Sequence, residues 1–196
     1  MTNQKKNISV WEIGPVSSVL QKIHFQFVTK KLRSLSVVSE HRLEGKTTLS
    51  ILIARGLKEI YNLNVLLVDL NPQGDILLSK YLGDYSSHEG IVEGHPFDFS
   101  LFRVKDLDVD WSKNLFDGPF LNTIVTNFTA QYDIVIVDNF VPADSGATLL
   151  KVNTDTNIII RSSSGKKTDK VQKELELNRK HLMGIILNIC LCLKTN

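Results

Sequence analysis

Three short, mostly apolar runs constrain this chain more than any other feature: residues 35–38, 65–68 and 134–137, stopping at Ser39, Asp69 and Asp138. Runs of this length with little polar alternation suit strands buried on both faces, as in a parallel sheet covered by helices. Segments with helical spacing alternate with them. Residues 16–27 carry apolar side chains at Val16, Val19, Leu20, Ile23 and Phe27, and helices are also expected over 46–61, 75–82, 120–130, 145–152 and 167–181. Further strands are expected over 99–104, 157–161 and 184–191. The alternation predicts an α/β fold: a doubly wound, mostly parallel sheet with helices on both faces. Residues 1–14 read as an irregular arm ending at Gly14-Pro15, and residues 15–196 as one domain. Residues 83–118, broken by Gly83, Gly90, Gly94, Pro96 and Gly118, carry the weakest pattern.

The first run leads into Ser39-Glu-His-Arg-Leu-Glu-Gly-Lys-Thr-Thr48, and an amphipathic helical pattern leads out of it. Gly45-Lys-Thr47 between a strand and a helix is the chemical end of a phosphate-binding loop. A helix N-terminus has N–H groups without intrahelical acceptors and a positive dipole end, and both favour an anion. Lys46 would reach the outer phosphates and the Thr47 hydroxyl would ligate Mg²⁺, with Glu44, Gly45 and Thr48 completing the cradle. The full pattern wants glycine six residues before the lysine, where Glu40 stands. Ligands in a doubly wound sheet sit at the carboxyl ends of strands. Asp69 and Asp138 are therefore expected to converge beside Thr47 on the metal position, with Asp69 and Lys46 as the catalytic pair.

Composition removes other classes. A net charge of +2 is too small by itself to point to nucleic acid or a membrane surface. The longest apolar run, residues 182–193, contains Asn188 and is too short to cross a bilayer. No secretory leader is visible, so the cytoplasm is the expected compartment. Cys190 and Cys192 fall on one face of an expected strand, which suits buried thiols better than a disulfide or a metal site.

Several segments resemble the P-loop ATPases of the ParA/MinD superfamily. Val65-Leu-Leu-Val-Asp-Leu-Asn-Pro-Gln-Gly74 is similar to their "VLLVDLDPQG" segment, and Tyr132-Asp-Ile-Val-Ile-Val-Asp138 to their Walker B strand. Glu44-Gly-Lys-Thr-Thr48 resembles more closely the "PGEGKTT" loop of the bacterial tyrosine kinases of capsule and exopolysaccharide synthesis. The helix ahead of the first strand, Ile159-Ile-Arg161 and Gly184-Ile-Ile-Leu-Asn188 are similar to features of the same kinases. The resemblance, spanning residues 16 to 190, implies ATP and Mg²⁺ as cofactors and a contact of Asn188 with the adenine edge. It also implies a membrane-anchored polysaccharide co-polymerase or activator subunit as partner, self-association, and a place at the inner membrane only through that partner.

Departures from the family fall on catalysis and assembly. Glu40, Arg42 and Leu43 replace small or flexible loop residues, and a β-carbon there restricts the backbone. Asn71 stands where the kinases have a second carboxylate and cannot act as a base. The Glu-Arg-Arg assembly pattern maps onto Val16, Val19 and Lys22, Asn139-Phe-Val-Pro142 replaces the usual Thr-Pro-Pro, and no tyrosine follows Tyr132. These changes predict weak or absent tyrosine kinase activity. Three functions stay open: an ATP-binding, kinase-like protein of polysaccharide synthesis or export; an inactive structural subunit of such a complex; and a ParA/MinD-like positioning ATPase. His41, in place of a signature lysine, counts against the last.

Overall fold

The computed structural model describes residues 14–41, 43–71, 91–92, 98–107, 118–139, 152–162, 170–177 and 181–188. The expected arm, the helices over 75–82 and most of 145–152, Asn-Pro-Gln-Gly past its first residue, residues 140–142, and Cys190 and Cys192 lie outside the described residues.

Seven strands form one sheet: β1 (Ser34–Ser39), β2 (Val65–Asp69), β3 (Ile91–Val92), β4 (Ser100–Arg103), β5 (Ile134–Asp138), β6 (Thr156–Ser162) and β7 (Leu182–Asn188). Their order is β3-β4-β2-β5-β1-β6-β7, and β3 alone pairs antiparallel. The helices among the described residues are α1 (Gly14–Lys30), α2 (Lys46–Tyr61), α3 (Gly118–Thr129) and α4 (Lys170–Leu177). The expected α/β, mostly parallel architecture is what the chain adopts.

Strand periodicity divides the side chains between two faces. Leu35, Val37, Val65, Leu67, Ile134, Ile136, Ile158 and Ile160 pack with Leu20, Ile23, Leu49, Ile53 and Leu57 of α1 and α2. The intervening Leu66, Val68, Val135 and Val137 pack against Leu121 and Val125 of α3, while Val38 and Ile159 meet Val171 and Leu175 of α4. Apolar side chains on both faces explain why these strands lack polar alternation.

Several boundaries move from the expected ones. α1 starts at Gly14 and continues past Phe27 to Lys30, with Thr29 Oγ1 donating to the Phe25 carbonyl. β4 stops at Arg103, where a single 3₁₀ turn begins at Val104 and Arg103 Nε donates to Asp106 Oδ2. His181 lies outside a helix: its carbonyl accepts from the Asn157 backbone and side chain, and β7 starts directly after it at Leu182. β3 has no counterpart among the expected strands, since two residues are too few to show a period.

Candidate nucleotide site

The carboxyl end of β1 lies at the point where the chain's connections diverge. From β1 the chain passes over β5 to β2; from β5 it later passes over β1 to β6. A crevice forms at such a switch point. The loop of residues 40–45 emerges there and feeds α2, whose first helical bond runs from the Leu49 N–H to the Gly45 carbonyl at 2.9 Å.

Periodicity aims the strand-end groups. Asp69 continues the Val65, Leu67 series and Asp138 the Ile134, Ile136 series, so both carboxylates project on the face covered by α2. Asp69 and Asp138 are also register partners on adjacent strands, with their Cα atoms about 5 Å apart. They are 1% and 4% exposed. Two buried carboxylates at this spacing repel one another, and a cation near both relieves that repulsion. Ser39 belongs to the same face, completely buried.

Within the loop, Lys46 Nζ donates to Ser39 Oγ at 2.9 Å and Ser39 Oγ donates to the His41 carbonyl at 2.7 Å. Gly45 sits at φ 94° and ψ 19°, a left-handed conformation that suits glycine. Leu43 adopts φ 64° with its side chain fully exposed, so it does not fill the loop's interior. Glu44, expected as part of the phosphate cradle, turns its side chain into the loop. Its carboxylate is buried and accepts the N–H groups of Glu40 at 3.1 Å and His41 at 2.9 Å. Arg42 lies outside the described residues.

The remaining expected residues are placed as follows. Thr47 and Thr48 are half-buried in the first turn of α2. Asn71 donates its backbone N–H to Asp69 Oδ1 at 2.9 Å, a turn that holds this carboxylate at the strand end. Asn188 ends β7 in register with Ser162, two strands from β1, at the same end of the sheet. Arg103, which the sequence reading passed over, is in register with Asp69 and buried at the end of β4. Applying to Leu101-Phe102-Arg103 the rule that an apolar run ends in a polar group would have found it.

The donor set fits Mg²⁺ rather than a metal caged by protein alone. Among the described residues no group of three or more His, Cys, Asp or Glu side chains is placed to hold a metal. Mg²⁺ characteristically takes one or two carboxylates and completes its octahedron with phosphate oxygens and water. Asp69, Asp138 and the Thr47 hydroxyl are hard oxygen donors of that kind.

The fold is one that this chain shares with MinD-type ATPases and bacterial tyrosine kinase domains. No family model matches the sequence, and no curated protein matches it. Solved structures do. The BceF tyrosine kinase domain matches with a TM-score of 0.68 at 19% identity, covering 90% of this chain and 80% of that one. The kinase domain of the Escherichia coli tyrosine kinase ETK gives 0.66 at 20% identity, covering 88% and 73%. The septum site-determining protein MinD from Pyrococcus horikoshii, complexed with Mg-ADP, gives 0.54 at 22%, covering 79% and 69%. At these identities the likeness is one of fold.

Proposed function

We propose that this protein binds ATP with Mg²⁺ at the carboxyl ends of β1, β2 and β5, as a kinase-like protein of polysaccharide synthesis or export with weak or no tyrosine kinase activity. The observation that carries the reading is the in-register pair Asp69 and Asp138, both on the face of α2 and beside the loop that presents Lys46. Lys46 exchanges its Ser39 contact for the outer phosphates, and the first-turn N–H groups of α2 meet the phosphate oxygens. Thr47, Asp138 and Asp69 would hold Mg²⁺, which when bound would supply positive charge against the phosphate oxygens. Asp69 orients the attacking hydroxyl or water and accepts its proton. Asn71 offers no second base, which supports weak or absent kinase activity.

The motif resemblance of Glu44-Gly-Lys-Thr-Thr48 and Gly184-Ile-Ile-Leu-Asn188, and the helix ahead of β1, support the kinase side and with it a membrane-anchored partner. No described helix is long and apolar enough to cross a membrane. A ring built through α1 is not part of the reading. Val16 is buried, Val19 packs against the core, and Lys22 Nζ donates to the Met183 carbonyl at 2.5 Å. These three assembly positions are committed to the protein's own fold.

The test is a thermal shift with and without Mg-ATP. A ligand at a hundred times its Kd adds about 2.7 kcal/mol to stability, worth several degrees for a domain of this size. We expect that rise in the wild type and none in Lys46→Ala. No shift at millimolar Mg-ATP in folded protein would favour the second reading, a nucleotide-free structural subunit. Glu40 in place of the first loop glycine and Asn71 at the second carboxylate position are the observations on its side.

A further inference from the structure

We propose that Glu44 is a positioning residue: its carboxylate fixes the first half of the phosphate-binding loop, in the role that small residues and tight turns would otherwise fill. The inference rests on the nucleotide reading for its purpose, though not for its geometry. Glu44 is 7% exposed although it lies between the fully exposed Leu43 and the half-buried Gly45. One oxygen, Oε2, accepts both the Glu40 and the His41 N–H. A charged acceptor shortens and strengthens such bonds, and burial keeps water from competing for them.

Two consequences follow from the direction of these bonds. The N–H groups of residues 40 and 41 are held toward Glu44 and are not offered to a ligand. The backbone from Leu43 to Thr48, with Gly45 left-handed and α2 beginning at Lys46, is the part that remains to meet phosphate. The link from Lys46 through the Ser39 hydroxyl to the His41 carbonyl ties the same segment from its other side. Glu40 and His41 can therefore be ordinary L-residues, because a side chain imposes the loop's course. The left-handed φ of Leu43 is the local distortion that turns Glu44 inward.

The carboxylate has an opposing effect. Its negative charge lies close to where phosphate would bind, so the hydrogen bonds help a nucleotide and the charge hinders it. Glu44→Gln separates the two, since an amide oxygen can occupy the same place and accept the same pair of N–H groups. Glu44→Ala removes both. Amide hydrogen exchange at residues 40 and 41 reads the staple without any ligand. We expect slow exchange in wild type and Glu44→Gln, and at least tenfold faster exchange in Glu44→Ala.

Calorimetric titration with Mg-ADP reads the purpose. Glu44→Ala should bind about tenfold more weakly, because the nucleotide must then order the loop itself. Glu44→Gln should bind as tightly as the wild type or more tightly. Rescue by glutamine is the outcome a general loss of packing would not produce. Unchanged exchange in Glu44→Ala overturns the inference, as does Mg-ADP affinity in Glu44→Ala equal to that of the wild type. A wild type that binds no Mg-ADP overturns the nucleotide reading alone, because the exchange rates decide the staple separately.

Discussion

A side chain's effect on this loop depends on where the backbone turns it. Leu43 and Glu44 are neighbours, yet one is fully exposed and the other buried against N–H groups. Leu43 pays a cost for this arrangement, since a left-handed φ brings the β-carbon of an L-residue too close to a carbonyl oxygen. Glycine removes that clash and loses no packing here, although it gives the unfolded chain more freedom. Leu43→Gly is therefore expected to raise stability by about 0.5–1 kcal/mol. In urea denaturation the midpoint should rise with an unchanged m-value; a fall in midpoint would mean that leucine stabilises the turn in some other way. The placement of Lys46 and Thr47 at a helix start and of Asp69 and Asp138 at strand ends was legible in the sequence, because apolar runs and helix starts mark those positions. The inward course of Glu44 was not, because loop side chains have no period to follow.

At the scale of elements, the parts with strong local signals match the structure closely, with β1 starting one residue early at Ser34. α2 spans Lys46–Tyr61, β2 Val65–Asp69 and β5 Ile134–Asp138, as expected. The end of α2 was readable because Asn62 takes a left-handed φ of 53°, and the N–H groups of Asn62 and Leu63 return to the Lys58 and Leu57 carbonyls. Asparagine tolerates that conformation better than most residues. α1 was harder, since its apolar pattern fades at Phe27 while its backbone continues to Lys30 and stops at Lys31, with φ 55°. α2 matters most for the site, because it carries Lys46 and Thr47 and is pinned to the sheet by Ile53, Ala54 and Leu57. Ile53→Ala, at a completely buried position, should cost about 2–5 kcal/mol in chemical denaturation. A loss below 1 kcal/mol would show that the helix repacks without it.

For the whole molecule, the informative choice is the sheet order. β5 inserts between β1 and β2 and so brings Asp138 beside Asp69. The three readings of function differ in what the molecule does with others of its kind. Because Val16, Val19 and Lys22 serve the protein's own core and β7, the expected state is a monomer with or without Mg-ATP, measured by light scattering after gel filtration. A dimer formed only with Mg-ATP, together with binding to DNA or liposomes, would favour the ParA/MinD-like reading instead. By itself the sequence determined six of the seven described strands and the polar residues that end the central ones, because burial and helix starts are written into neighbouring residues. Only the tertiary structure decided which strands are neighbours and where Glu44 turns. Pairing between segments far apart in the chain, and hydrogen bonds inside an irregular loop, depend on the packed whole and leave no local period to read.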